Sequence, residues 1–226
     1  IALSHSVLSD DERRLGAILM DIGGGTCDIS IYNRGALEKI LVIPMAGKNI
    51  TEDLAIGLKT TLSSAEYIKT QYGSAIAAGI DQSVELEVEG ISGRASTTRT
   101  QYLVSHVIQH RVEEMLATCY NKTKDYYTPE LVTAGIILTG GTANLLNIDT
   151  AISEAFNLQV KLARPNLSRL NGMISRLEDP AFATAVGILY YASGFEHEPQ
   201  TRSFNLGSLG TNKIIDKLKK ILQDFK

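Results

Sequence analysis

Asp21-Ile22-Gly23-Gly24-Gly25-Thr26-Cys27-Asp28 lies between two apolar runs, Ala17 to Met20 and Ile29 to Tyr32. Both runs read as strands, so three glycines and a threonine form the turn of a hairpin. A tight hairpin needs one or two residues at positive φ, which glycine supplies at little cost. It does not need three glycines with a carboxylate on either side. Surplus glycine lets a backbone approach a ligand and lets successive N–H groups converge on an anion. A carboxylate at the strand end can face a divalent cation that bridges the anion's oxygens. The stretch reads as a phosphate-cradling hairpin with Asp21 on the Mg²⁺ side, against the plainer reading of a tight turn.

Two common phosphate loops do not fit. A Walker loop carries Lys-Ser/Thr after its glycines, and a dinucleotide loop opens a helix there. Here an alternating strand follows.

The rest of the chain bounds the setting. Its 226 residues are 44% hydrophobic and 21% charged, with net charge −3. This is an ordinary globular composition, long enough for a sizeable core, without a basic field for nucleic acid. Cys27 and Cys119 lie far apart in sequence without metal-type spacing and read as small buried hydrophobes in a reducing compartment. There is no signal peptide and no apolar run long enough to span a bilayer. The chain opens on Ile1-Ala2-Leu3 as though cut from something longer.

Residues 1–16 read as a helix or connector. Three strands follow: Ala17–Ile22, Cys27–Tyr32 and, after the turn Asn33-Arg34-Gly35, Leu37–Met45. Ile50, Leu54 and Leu58 mark a helix capped by Asn49 or Thr51, and Ser63 with Glu66 forms a capping-box pattern for a second helix ending at Gly73. Residues Val84 to Glu89 alternate as a half-exposed strand with a glutamate face. Thr98 to about Lys122 reads as a long helix with Val104, Ile108, Val112 and Met115 as its apolar stripe. Ile136-Ile137-Leu138 is a strand buried on both faces, ending in Thr139-Gly140-Gly141-Thr142 before a helix from about Leu145 to Phe156. Bare backbone at that second glycine junction can lie against a nucleotide's base or sugar. A short strand at Val160–Leu162 and a helix from Asp179-Pro180 to Ala192 complete the order.

The chain therefore divides into residues 1–61 and 99–193, an α/β layer with a mixed sheet whose first three strands are antiparallel and which helices flank. Residues 62–98 form a small inserted α+β subdomain, 194–212 a linker, and 213–226 a terminal helix. In that helix Ile214, Ile215, Leu218, Ile221, Leu222 and Phe225 share one face, with five lysines and two aspartates over the remainder. It reads as a membrane-surface anchor, or as a helix docked on its own domain or a partner.

The phosphate-type hairpin resembles the second phosphate loop of the actin superfamily, and Leu138-Thr139-Gly140-Gly141-Thr142 resembles its adenosine loop. The strand order resembles the ribonuclease-H-like subdomain these proteins share. Gly35-Ala36-Leu37 through Val42-Ile43-Pro44, Asn49 to Gly57, Ala65-Glu66 through Lys69 and Gly73, and Pro180 with Ala183 to Gly187 resemble the C-terminal half of FtsA, the actin-like bacterial cell-division family.

The resemblance implies ATP and Mg²⁺ as ligands. Asp21 would face the metal through water, Gly23, Gly24, Gly25 and Thr26 would hold phosphate, Glu66 and Lys69 would face ribose and base, and Gly140, Gly141 and Thr142 would close over the adenosine. Glu66 and Lys69 also read as an ordinary surface pair. Asp28 reads as structural.

For partners, the resemblance implies the FtsZ C-terminal tail near Ile108, Arg111 and Glu114, further copies in a protofilament, other divisome proteins, and the cytoplasmic face of the inner membrane through residues 213–226. Only half of the nucleotide cleft is expected here, so the chain should bind ATP weakly and not turn it over. A pilus-assembly adaptor of the same fold and a DnaK-type chaperone ATPase are the competing readings.

Overall fold

The computed structural model describes residues 1–172 and 174–195. The terminal helix at 213–226 and nearly all of the 194–212 linker lie outside the described residues. Residues Ile1–Ala192 form one compact unit; of the second unit, Ser193–Lys226, the described part continues the last helix.

Ala17–Ile22 (β1) is apolar almost throughout and buried on both faces, which makes it the centre of the sheet. It pairs antiparallel with Cys27–Asn33 (β2) and parallel with Ile136–Thr139 (β6). Ala36–Ile43 (β3) and Val160–Leu162 (β7) are the edges, giving the order β3-β2-β1-β6-β7. The β2–β3 hairpin closes on Arg34 and Gly35, both at positive φ, as a two-residue turn following the strand twist requires. β3 stops at Ile43, before Pro44, whose missing N–H cannot extend the ladder.

Helices cover both faces. Gly47–Leu58 (α3), Leu62–Tyr72 (α4), Gln101–Thr123 (α5) and Ile148–Phe156 (α6) pack with the sheet around Met20, Ile22, Ile29, Ile50, Leu54, Ile108 and Met115. A smaller cluster on the opposite face joins Leu19, Tyr32, Ile137 and Ala183 to Val7 and Leu8, from the segment holding Ser4–Val7 (α1) and Asp10–Leu15 (α2). Ala183 opens the last helix, Ala183–Phe195 (α7), after a 3₁₀ turn at Pro180–Phe182 capped by Asp179.

Three details depart from the sequence reading. Thr97–Thr100 (β5) is a strand, paired with Glu85–Val88 (β4), and the long helix begins only at Gln101. Threonine's β-branched chain favours the strand, and Thr100 ends it by accepting the N–H of Leu103 as helix cap. The segment after β6 first makes a 3₁₀ turn, Gly141–Asn144, and α6 starts at Ile148. Ser63 does not open a capping box with Glu66. Thr61 caps α4 by accepting the N–H of Ser64, which leaves Glu66 free for other contacts.

β4 alternates as expected, with Leu86 and Val88 buried in the main core and Glu85 and Glu87 outward. Cys27 and Cys119 are fully buried and meet in the core, their Sγ atoms 3.8 Å apart.

Candidate functional site

The glycine turn joins β1 to β2 through Gly23-Gly24-Gly25-Thr26, closed by a 2.9 Å bond from the Gly23 N–H to the Thr26 carbonyl. None of its three glycines lies at positive φ, so the turn does not use the conformational freedom expected of them. Packing does not demand them either. A Cβ at Gly25 would meet nothing within 4 Å, and at Gly23 or Gly24 only ordinary contacts at 3.5 and 3.8 Å. The N–H groups of Gly24, Gly25 and Thr26 donate to no described residue. Successive unpartnered donors on bare backbone are what a turn needs to receive an anion. The Thr26 hydroxyl is donated to Asp28 at 2.8 Å, so Thr26 offers an incoming anion its N–H rather than its O–H.

Gly47, at the first position of α3, is the meeting point of the site. Its N–H donates to the Gly23 carbonyl at 3.2 Å, and the next N–H, of Lys48, to the Gly24 carbonyl at 2.7 Å. A Cβ at Gly47 would lie 2.5 Å from Thr142 Oγ1 and 3.5 Å from Lys69 Nζ. Thr142 donates its hydroxyl to the Gly23 carbonyl at 2.8 Å and so ties the second glycine junction to the first. Gly140 is needed sterically: it has φ +93°, and a Cβ there would sit 2.4 Å from Asp21 Oδ1. It supports the end of β1, while Gly141 and Thr142 line the adjacent cleft.

That cleft holds about 830 Å³. Its lining includes Gly23, Gly24, Gly47 and Lys48, Tyr72 and Gln101, and Leu145 and Leu146. Glu66 and Lys69 also line it. Lys69 is buried, and its ammonium spends three donors within the protein, on Gly47 O at 3.0 Å, Thr51 Oγ1 at 2.9 Å and Glu66 Oε2 at 2.6 Å. Thr51 also donates to Glu66 Oε2. One Glu66 oxygen is thus held, and the other has no described hydrogen-bond partner, on a half-exposed side chain that lines the cleft. Burial raises the Glu66 pKa, but the bonds from Lys69 and Thr51 outweigh it, and the net shift is downward. The pair is therefore more than a surface pair on one helix: it joins α3 to α4.

Asp21, at the end of β1, lies against Gly140, with Oδ2 accepting from Thr184 at 2.8 Å. It stands directly opposite Asp28 in the β1–β2 register. Burial pushes its pKa up; the Thr184 bond opposes this, and the Asp28 charge adds to it. Facing carboxylates repel, and a cation relieves the repulsion. One carboxylate completed by waters and phosphate oxygens is a fitting outer ligand for Mg²⁺. Among the described residues no group of three or more His, Cys, Asp or Glu could cage a metal alone.

The residues expected to meet a partner do not form one surface. Ile108 is fully buried beneath Gly73, where a Cβ would strike it at 2.6 Å, so it supports α5 and cannot present a face. Its place in the apolar stripe of α5 is the reading that holds. Arg111 grips Asp53 with two nitrogens, at 2.5 and 2.9 Å, and reaches Glu114 at 2.7 Å. No described helix is long and apolar enough to cross a membrane.

A five-stranded mixed sheet with an antiparallel first hairpin, two glycine junctions at neighbouring strand ends and helices on both faces defines an actin-like α/β fold. MreB5 of Spiroplasma citri bound to ADP superposes with a TM-score of 0.67 at 21% identity, over 86% of this chain and 58% of that one. The MamK double helical filament gives 0.57 at 18% identity, over 78% and 54%.

Within that class the chain belongs to the cell division protein FtsA family, whose model matches residues 18–187. The FtsA of Neisseria meningitidis serogroup B is 35% identical over 197 residues, 87% of this chain and 47% of the relative. That of Escherichia coli K12 is 34% identical over 198 residues, 84% and 47%. The chain spans about half the length of these curated relatives.

Proposed function

We propose that this chain forms one jaw of an ATP clamp in an actin-like cell-division protein. The three consecutive glycines at Gly23–Gly25 carry this reading, because neither backbone conformation nor packing accounts for them and an outside group does. In this reading the free N–H groups of Gly24, Gly25 and Thr26 take phosphate oxygens, the open oxygen of Glu66 takes a ribose hydroxyl, and Gly141 with Leu145 and Leu146 flanks the base. Lys69 orients Glu66. Asp21 faces the waters of a bound Mg²⁺, which would neutralise phosphate charge. Residues 62–98 form a small inserted subdomain on this frame, and in them Glu66 and Lys69 reach the cleft.

At the level of the whole protein, the chain polymerises and links the FtsZ ring to the inner membrane, with residues 213–226 lying on the lipid surface. Of the residues expected to meet the FtsZ tail, exposed Glu114 offers the contact and half-buried Arg111 holds it in place. Phosphoryl transfer draws on charge stabilisation from every side of the phosphate, so one jaw alone does not turn ATP over.

Isothermal titration tests the clamp. Mg·ATP and Mg·ADP should bind this chain with dissociation constants between about 10 µM and 1 mM. A constant of about 1 µM or tighter refutes the half-clamp, and no binding at about 5 mM nucleotide refutes the nucleotide reading.

A further inference from the structure

Two cations line the cleft, and they differ in what they do for the fold. Lys69 has no donor left over. Lys48 is exposed, and its ammonium makes no hydrogen bond or ion pair with any described residue. Glu52, one helical turn on, also lines the cleft, but no ion pair within 4.0 Å joins the two. The Lys48 stem is nevertheless positioned. Its N–H is bonded to the Gly24 carbonyl at 2.7 Å, and its Cγ and Cε run past Gly24, 3.9 and 3.8 Å from where a Cβ there would be. The stem is thereby laid against Gly24, beside one of the free N–H groups.

We propose that Lys48 is the charged phosphate contact of this site and the residue that makes it favour nucleoside di- and triphosphates over the nucleoside. This rests on the nucleotide reading of the cleft. A lysine acts on phosphate as a mobile point charge, reaching several oxygens without a fixed fork geometry. Backbone N–H groups give direction to the phosphate and Lys48 gives net charge, in a cleft whose other cation is already neutralised by Glu66. An unpaired lysine costs the free protein little while it is solvated, so the fold gives no reason of its own for this one.

The experiment measures ADP and adenosine binding by titration calorimetry on the wild-type chain and on Lys48→Met, Lys48→Arg and Lys122→Met. Lys122 is exposed on α5 and lies outside the cleft lining. Thermal melts confirm that each variant folds. Lys48→Met should weaken ADP about tenfold, the worth of one charge-assisted hydrogen bond, and leave adenosine unchanged. Lys48→Arg should retain most ADP affinity, and Lys122→Met all of it. The proposal is overturned if Lys48→Met leaves ADP unchanged, or if it weakens ADP and adenosine alike, since the residue then acts on the shape of the cleft rather than on phosphate charge. Wild-type protein that binds neither ligand overturns the nucleotide reading and this proposal together.

Discussion

Two glycines in one helix, Gly47 and Gly57, should respond in opposite directions to the same substitution. Helix propensity alone makes Gly→Ala stabilising by about 0.5–1 kcal/mol in a helix interior, the setting of Gly57. At Gly57 nothing opposes it, because the new Cβ would meet only Val107 Cγ2, at 3.9 Å. At Gly47 the new Cβ would lie 2.5 Å from Thr142 Oγ1 and 3.3 Å from the Gly23 carbonyl, and relief to 3.4 Å means about 0.9 Å of movement at the hydroxyl. Thr142 can rotate and forfeit its bond to Gly23 O, which costs about 1 kcal/mol. Otherwise α3 must retreat and lengthen the bonds from Gly47 and Lys48 to the glycine turn. Overpacking of this kind costs about 1–3 kcal/mol, and Gly47, at the helix start, has little propensity to gain. Gly47→Ala should therefore lose about 1–2 kcal/mol, where Gly57→Ala gains about 0.5. At about 2–4 °C per kcal/mol, the two melting temperatures separate by about 3–10 °C. The loss should shrink in a Gly47→Ala, Thr142→Ala double variant, because the hydroxyl under pressure is gone. Differential scanning calorimetry reads all four proteins. Gly47→Ala melting at or above Gly57→Ala would refute the convergence of Gly23, Gly47 and Thr142.

Lys69→Met removes two buried hydrogen bonds and a part-buried one to Glu66 and should cost about 1–2 kcal/mol, because Glu66 can rehydrate and Thr51 still donates to the Gly47 carbonyl; a urea midpoint within experimental error of wild type would show that these bonds are not made. The Asp21 carboxyl titrates above its unfolded value of about 4, so its protonated form stabilises the fold at low pH and that stabilisation is lost as pH rises through the folded value. Asp21→Asn should thus gain on wild type as pH rises above the unfolded value of about 4 in melts without nucleotide, and parallel pH profiles would contradict the assigned environment. Leu218 lies mid-face in the terminal amphipathic pattern. Leu218→Glu should abolish co-sedimentation with anionic vesicles, and undiminished binding would sink the anchor reading.

The sheet was legible because its signals are local. Ala17 to Ile22 and Ile136 to Leu138 are apolar runs too short for helices, and Ile50, Leu54 and Leu58 keep helical spacing through α3. Thr97–Thr100 was misread because its identity as a strand depends on β4, whose alternation is clear only from its own side. Ile108 carried two incompatible assignments, one from the periodicity of α5 and one from resemblance. Burial at 0% settles it for periodicity: a position that repeats with Val104 and Val112 cannot also face solvent. Gly47 gave no local sign of its role. A glycine before a helix reads as a connector, and only the approach of Thr142 and Lys69 makes it irreplaceable. The nearness of Cys27 and Cys119 was hidden for the same reason: strand and helix bring them together across the core.

The polar groups around the cleft fall into two sets. Thr142, Thr51 and Lys69 are consumed by the protein: each donates to a carbonyl or carboxylate of another segment, and together they lock α3, α4 and both glycine junctions into one body. The N–H groups of Gly24, Gly25 and Thr26, the second oxygen of Glu66 and the ammonium of Lys48 have no described partner, and all belong to residues lining one cavity or to the glycine turn that contributes to that lining. Solvated groups of this kind can be left free at little cost, whereas the consumed set could not be. Substitutions in the first set should therefore register mainly as lost stability, and substitutions in the second as lost affinity in a chain that folds normally. Lys69 and Lys48, two lysines of one cleft, are the sharpest contrast: the first should report in the urea midpoint, the second in the ADP isotherm.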